Sequence, residues 1–342
     1  MTEATAAILG CEALRLSAAE RAFFRSVRPW GFILFKRNID TPDQVRALVD
    51  DLRACVDRSD APILIDQEGG RVQRLGPPHW RRYPPGRAYG QFGAQDGLRR
   101  REITRLGARL LAHDLAALGI NVDCVPVLDV PEPGAHDVIG DRAYGETPED
   151  VAMLGRAACE GLIAGGVLPV VKHIPGHGRA RADSHLALPV VEAALAELDA
   201  RDFAPFKMLS DMPMAMTAHV VYTAIDPRRP ATTSAKAVRG VIREIIGFDG
   251  LLMSDDLSMK ALEGDFTERA RASLAAGCDV VLHCNGDMTE MTAVVAGTKP
   301  LATRAKARAA AALNRAPKTP EPFDAVEGRA RFDAAFDGAW AA

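Results

Sequence analysis

Several features are missing from this sequence, and each absence narrows its reading. No stretch approaches the roughly 20 consecutive apolar residues of a membrane helix. The opening M-T-E-A-T-A-A-I-L-G-C-E has neither a basic start nor a long apolar run, so a signal peptide is not expected. No charge of one sign dominates. The 42 Lys and Arg face 45 Asp and Glu, a net charge of -3. That balance makes no electrostatic case for nucleic acid or an anionic membrane surface. The six cysteines, at 11, 55, 124, 159, 278 and 284, are scattered and form no C-x-x-C pair. They are expected to be buried free thiols in a reducing cytoplasm, not a disulfide framework or a structural zinc site. No glycine-rich nucleotide fingerprint follows the first strand-like run.

What is present is an ordinary globular composition, 48% hydrophobic and 25% charged over 342 residues. That length fits one large domain or two modest ones. Short apolar runs recur along the chain at 6–12, 31–35, 62–66, 121–128, 168–172, 214–219, 250–255 and 279–284. They are continuous rather than alternating, as in strands buried on both faces of a parallel sheet. Helical patterns separate most of them. Ser17-Ala-Ala-Glu20 matches a capping box. Thr41-Pro42 and Thr147-Pro148 are helix starts with proline in the first turn. Val45, Leu48, Val49, Leu52 and Val56 follow at helical spacing. A long helix is expected up to about residue 118, and another fills roughly 191–209. Gly277 suits the stop of the helix before the last strand. Eight strands with intervening helices predict a single-domain α/β fold, a TIM-type (β/α)8 barrel, with a doubly wound open sheet as the alternative. The expected layout is a catalytic barrel over 1–290 and a helical tail over 291–342 packed on it.

The polar residues gather at the ends of these runs. The densest stretch is V-K-H-I-P-G-H-G-R-A-R-A-D-S-H, residues 171–185, which follows the fifth strand. Pro175 and the glycines exclude a helix through its middle, so it reads as a polar loop. Asp66 ends the third strand, Lys172 and His173 the fifth, His219 the sixth, Asp255 and Asp256 the seventh, and His283 the eighth. Catalytic groups of a barrel come from the C-terminal ends of several strands, so this is the expected mouth, fitted to a sugar or an anion. Asp255 facing a loop that carries Asp183-Ser184-His185 suggests a nucleophile with an acid/base. Residues 183 and 185 share a side in an extended loop. Asp183 there fixes the His185 tautomer and raises its pKa from about 6.5. An Asx-type turn with a surface histidine is the bland alternative. Zinc held by His173, His177 and His185 is disfavoured, because the spacing matches no helical site and Pro-Gly intervenes. Lys172 as a Schiff-base lysine carries similarly little weight.

These motifs resemble glycoside hydrolase family 3, in particular its single-domain bacterial β-N-acetylglucosaminidases. The resemblance rests on K-H-I-P-G-H-G-R-A-R-A-D-S-H, I-D-Q-E-G-G-R-V-Q-R (65–74), P-V-L-D-V (126–130), I-G-D-R-A-Y-G (139–145), T-A-H-V (217–220) and M-S-D-D-L-S-M (253–259). It runs in the family's order from about residue 7 to 285. It implies an exo-acting retaining hydrolase that removes terminal N-acetylglucosamine from 1,6-anhydro-muropeptides during peptidoglycan recycling in the cytoplasm. Asp255 matches the nucleophile, His185 the acid/base and Asp183 its orienting partner. Asp66, Arg74, Arg142, Lys172 and His173 match residues that hold the sugar. No metal or organic cofactor is implied, and the partner is a small-molecule glycan, with no nucleic acid and no membrane, bound by a monomer. A phosphorylase on the same scaffold and a non-catalytic sugar-binding barrel are the competing readings. The chain departs from many relatives at Ile174 and at Arg179-Ala180. Arg179 and Arg181 therefore add charge to the loop, where they either meet an acidic stem peptide or alter loop kinetics.

Overall fold

The structure, a computed structural model, describes residues 3–93, 96–180, 184 and 188–340. Eight parallel strands close into a barrel in which every strand pairs with its neighbours in sequence, and the last pairs with the first. They are β1 Thr5–Leu9, β2 Pro29–Leu34, β3 Ile63–Ile65, β4 Val122–Asp123, β5 Leu168–Ile174, β6 Met214–Thr217, β7 Leu251–Asp256 and β8 Val280–His283. The strand of sequence 121–128 is regular over only its first residues, because Pro126 has no N–H to donate to the ladder. The chain continues extended there, and the Val125 and Pro126 carbonyls still accept from Val170 and Lys172 of β5.

Side chains alternate across each strand, and both faces are buried. Ile8, Ile33, Leu64, Val122, Leu168, Val170, Met214, Leu251, Met253 and Val280 belong to one apolar cluster that fills the barrel. Their sequence neighbours Leu9, Phe32, Ile65 and Val281 pack outward under one set of helices, and Val171, Ala215 and Leu252 under another. This double burial explains why the strands read as unbroken apolar runs. Each such Leu, Ile or Val contributes roughly 1.5–3 kcal/mol by leaving water.

The helices begin as their sequences dictate. Ser17 and Glu20 form the reciprocal capping box of Ala18–Val27. Thr41 and Thr147 accept from the third residue of Pro42–Val56 and Pro148–Ala164, each with proline in the first turn. The long helix runs Gly97–Ala116. The single helix expected over 191–209 is instead broken into pieces. Val190–Val191 pairs with Val221–Tyr222 as a two-stranded ladder. Leu198–Asp202 then forms a π-helical turn, and a short helix follows over Ala204–Met208. Pro205 is the reason for the break, since its ring nitrogen cannot carry a helical hydrogen bond through from 195. At the other end of the chain, helix Thr303–Leu313 places Ala309 and Ala312 on the barrel's inner cluster beside Ala6 and Trp30. Helix Ala325–Ala335 lies against Gly97–Ala116 and buries Phe332 near Tyr83 and Tyr89. All six cysteines are buried free thiols.

Candidate active site

The inward-facing series of each strand continues past the apolar fill into a polar mouth. On β3 the series Leu64 runs on to Asp66 and Glu68. On β5, Leu168 and Val170 run on to Lys172, and on β7, Leu251 and Met253 run on to Asp255. Asp66, Glu68, Lys172 and Asp255 all line one cavity of about 300 Å³, together with Arg74, Arg142, His173 and Met216. The cavity size suits a single sugar ring with its substituents.

Five charged groups form its floor. Lys172 Nζ lies 2.9 Å from Asp66 Oδ1 and 2.6 Å from Glu68 Oε1. Arg74 Nη2 donates to Asp66 Oδ2 at 3.1 Å. Arg142 grips Glu68 with two hydrogen bonds, Nε to Oε2 at 2.9 Å and Nη2 to Oε1 at 2.8 Å. Burial works against the charge of Asp66, but Lys172 and Arg74 outweigh it and hold the carboxyl well below the ordinary range. Glu68 is held low in the same way against its burial, by Arg142 and Lys172. Replacing such a buried ionic cluster with apolar side chains is often neutral or stabilising by about 1–4 kcal/mol. Its presence at a cavity floor therefore points to a ligand, and the geometry is a rigid array of charged donors and acceptors suited to sugar hydroxyls.

The polar hairpin after β3 shows how sequence places these groups. Asp66 and Glu68 face the cavity, while Gln67 between them faces away. The Gln67 side chain accepts from the Arg74 and Leu75 amides, each at 2.9 Å, and so holds Arg74 in register. Gly69 follows with φ +95, and a Cβ there would meet the Pro84 carbonyl oxygen at 2.2 Å. No other residue suits that turn.

His173 is set by Asp129, a fully buried residue of the loop after β4. His173 Nδ1 lies 2.7 Å from Asp129 Oδ2, which leaves Nε2 for the cavity. Asp129 Oδ1 accepts the backbone N–H groups of His173 at 3.2 Å and His177 at 2.7 Å. Burial opposes the Asp129 charge, but the two histidines and these hydrogen bonds keep its pKa low. Gly178 permits the loop to pass: a Cβ would sit 2.0 Å from the Val130 carbonyl oxygen.

The adjacent aspartates of β7 have separate fates. Asp256 is fully engaged, accepting from the Ser258 and Cys284 amides at 3.0 and 3.1 Å and from the Ser258 hydroxyl. Among the described residues, Asp255 accepts the Asp256 N–H alone, at 2.8 Å, and it lines the cavity. Burial pushes the Asp255 carboxyl up, but His219, His173, that amide and Lys172 together bring it below its ordinary value. Asp255 is thus an ionised carboxylate on the cavity wall.

Behind Asp255 runs a hydrogen-bond relay. The Asp255 N–H meets Thr217 Oγ1 at 3.3 Å, and Thr217 Oγ1 lies 2.8 Å from Thr232 Oγ1. Thr232 Oγ1 lies 2.7 Å from His219 Nδ1, and His219 Nε2 is 3.0 Å from the Asp256 carbonyl oxygen. A carbonyl only accepts, so Nε2 carries the proton. His219 is neutral, since burial lowers its pKa. Nδ1 then accepts from Thr232, whose hydroxyl accepts from Thr217. Among the expected strand-end residues, His219 therefore supports the site from behind and does not line it. His283 also turns away from the cavity. It is buried edge-on against Phe266, with ring centroids 5.2 Å apart.

Asp183, His185 and Arg181 lie outside the described residues. Ser184, between them, lines the cavity and bonds His177 Nε2 at 3.2 Å. Burial lowers the His177 pKa to about 4, so this ring is neutral near pH 7. Arg179 does not reach the cavity. It is inward-turned and paired with Asp202 at 2.7 Å and Glu132 at 2.6 Å. Its two carboxylate partners rule out the idea that it greets an acidic substrate. Sequence reasoning missed Glu68, although its spacing of two from Asp66 on a strand-like run placed it on the same side. It also assigned no role to Asp129, an acid at the C-terminal end of an apolar strand within the motif P-V-L-D-V. Among the described residues, no cluster of three or more His, Cys, Asp and Glu side chains has the arrangement of a metal site.

Comparison with known proteins identifies the family. Residues 9–315 match the glycosyl hydrolase family 3 N terminal domain. A β-hexosaminidase of Methylococcus capsulatus is 44% identical over 275 residues, covering 79% of this chain and 80% of that protein. The crystal structure of NagZ from Neisseria gonorrhoeae in complex with N-trifluoroacetyl-D-glucosamine superposes with a TM-score of 0.84 at 34% identity, covering 97% of this chain and 96% of that one. The family 3 β-N-acetylglucosaminidase of Paenibacillus gives a TM-score of 0.82 at 32% identity, covering 96% of this chain and 67% of that one. The chain belongs to glycosyl hydrolase family 3. Within that family it groups with the β-hexosaminidases, and it is a glycoside hydrolase acting on a carbohydrate substrate.

Proposed function

We propose that the protein is an exo-acting, retaining β-N-acetylhexosaminidase that removes terminal N-acetylglucosamine from peptidoglycan fragments, the 1,6-anhydro-muropeptides. One observation carries the reading: Asp255 stands ionised in a one-sugar cavity with a single donor among the described residues, the Asp256 N–H, while Asp256 beside it accepts from three. The names of the relatives supply the sugar. Asp66, Arg74, Arg142, Lys172 and His173 hold the terminal ring, with Glu68 pairing to Arg142 and Lys172. An Asp255 oxygen attacks the anomeric carbon as the glycosidic oxygen leaves with a proton from His185. His185 then takes a proton from water, whose oxygen displaces Asp255 from the same carbon. Two inversions give net retention.

Asp183 holds the His185 tautomer. Ser184, which lies between them in sequence, lines the cavity, and this supports the reading. An imidazole acid beside Asp255 needs little tuning, because the ordinary pKa values of about 6.5 and about 3.9 already separate the roles. The proposal includes a monomer working in the cytoplasm; no described helix is long and apolar enough to cross a membrane.

The test is hydrolysis of 4-nitrophenyl N-acetyl-β-D-glucosaminide by the wild type, Asp255→Ala and His185→Ala. Asp255→Ala is expected to lose at least about 10³-fold in kcat. His185→Ala is expected to keep part of its activity here, since nitrophenolate leaves without help, and to lose about 10²–10⁴-fold on a sugar leaving group. Full activity in Asp255→Ala would refute the assignment.

A further inference from the structure

The loop after β5 runs through a slot with two walls. One wall is the loop after β4, residues 130–136. The other is the π-helical turn that ends at Asp202. The fit is close on the second side, where a Cβ at Gly176 would lie 3.0 Å from Asp202 Cβ. Backbone bonds tie the loop to the first wall: the Glu132 N–H donates to the Gly178 carbonyl at 3.1 Å, and the His136 N–H to that of Ala180 at 2.9 Å. The Tyr222 hydroxyl donates to the Gly176 carbonyl at 2.6 Å. The walls are fastened to each other by Arg201, which donates from the π-turn to the Pro131 carbonyl at 2.9 Å.

Arg179 joins the loop to both walls. Its Nε donates to Asp202 Oδ2 at 2.7 Å, and its Nη1 to Glu132 Oε1 at 2.6 Å. Asp202 is buried and Glu132 half-buried. A buried ionic cluster is a weak source of stability, because apolar side chains of similar volume often do as well. What it supplies here is one fixed geometry at a particular place. Two residues before Arg179, His177 lines the cavity, gives its N–H to Asp129 and bonds Ser184. Asp129 in turn orders His173.

We propose that Arg179 is a positioning residue for the reaction: by clamping the loop after β5 between Asp202 and Glu132, it holds the cavity-facing part of that loop in register for proton transfer to the leaving group. The inference rests on the hexosaminidase reading, which puts the acid/base further along the same loop. Arg179 acts through the backbone at 176–178 and touches no substrate. The clamp also depends on pH. Burial raises the Asp202 carboxyl to about 6, against the pull of Arg179 and Arg201. Glu132 faces the pair from the other wall, Glu197 lies near Arg179, and burial keeps the Tyr222 hydroxyl neutral. Asp202 is charged above that pH and neutral below it, so the clamp is complete above about 6 and loses its buried anion below.

The experiment compares the wild type, Arg179→Met, Arg179→Lys and Asp202→Asn on two substrates. The nitrophenyl glucosaminide leaves without a proton, and diacetylchitobiose needs one. Arg179→Met keeps the apolar stem and removes the charge. It is expected to lose about tenfold or more in kcat on diacetylchitobiose and under about threefold on the nitrophenyl substrate. Arg179→Lys restores a point charge and should regain at least about threefold of that loss. Wild-type kcat on diacetylchitobiose should step down as pH falls through about 6, and the step should be missing from Arg179→Met and Asp202→Asn. Equal losses on both substrates, or no loss on diacetylchitobiose, would overturn the proposal. If Arg179→Met does not fold, Asp202→Asn and the wild-type pH step carry the same test. Hydrogen exchange over the peptide 173–188 needs no turnover. Faster exchange there in the variants supports the clamp, and unchanged exchange refutes it. A wild type inert on both substrates refutes the hexosaminidase reading, and exchange then decides the clamp by itself.

Discussion

At the scale of single residues, the site depends on acids that differ by their hydrogen bonds and not by their chemistry. Asp255 and Asp256 are adjacent and identical in type. Among the described residues, three donors occupy Asp256 and one occupies Asp255. Asp129 shows the converse, an acid that never meets the cavity yet sets what does. It orders His173 through the ring and the backbone at once. Asp129→Asn keeps the shape but removes the charge facing Nδ1. A hydrogen bond to a charged group contributes about 1.5–3 kcal/mol. We therefore expect KM for the nitrophenyl substrate to rise by about tenfold or more, with a smaller fall in kcat. Unchanged kinetics would remove Asp129 from the account. Part of this scale was legible in the sequence. Asp66, Lys172 and Asp255 stood out because a charge at the end of an apolar run has no core to join. Asp129 was not legible, because only the folded loop brings 129 beside 173 and 177.

At the scale of elements, β6 and β7 are tied together by side chains as well as by their ladder. The relay Asp255–Thr217–Thr232–His219 links the strand carrying Asp255 to the strand beside it and to the turn at 231–233. Thr232→Val removes the central hydroxyl at nearly constant volume. It leaves Thr217 and His219 without a buried partner, which costs about 1–3 kcal/mol. The expected result is a fall in kcat of about tenfold or more, with KM changed under threefold, and recovery in Thr232→Ser. Loss of stability with kcat intact would make the relay a purely structural feature. The sequence placed His219 at a strand end but could not show its depth, since that depends on which side of β6 faces the barrel. The broken helix at 195–208 was likewise hidden. A proline in the first turn of a helix and a proline within one look alike until the preceding turn is known.

At the scale of the whole molecule, the barrel was readable because both faces of every strand are buried, so each strand announces itself as an apolar run. Closure was not readable from periodicity. It follows from the pairing of β1 with β8, which register alone defines. The inward series of the strands then joins fold to function: apolar members fill the barrel, and the next members at the C-terminal ends form the site. The central claim is that this molecule hydrolyses a β-linked N-acetylglucosaminide by double displacement. Proton NMR of the fresh product tests it most directly. The account predicts that β-N-acetylglucosamine appears first and that the α-anomer grows in only by mutarotation. Early appearance of the α-anomer would mean a single displacement and would contradict the role given to Asp255.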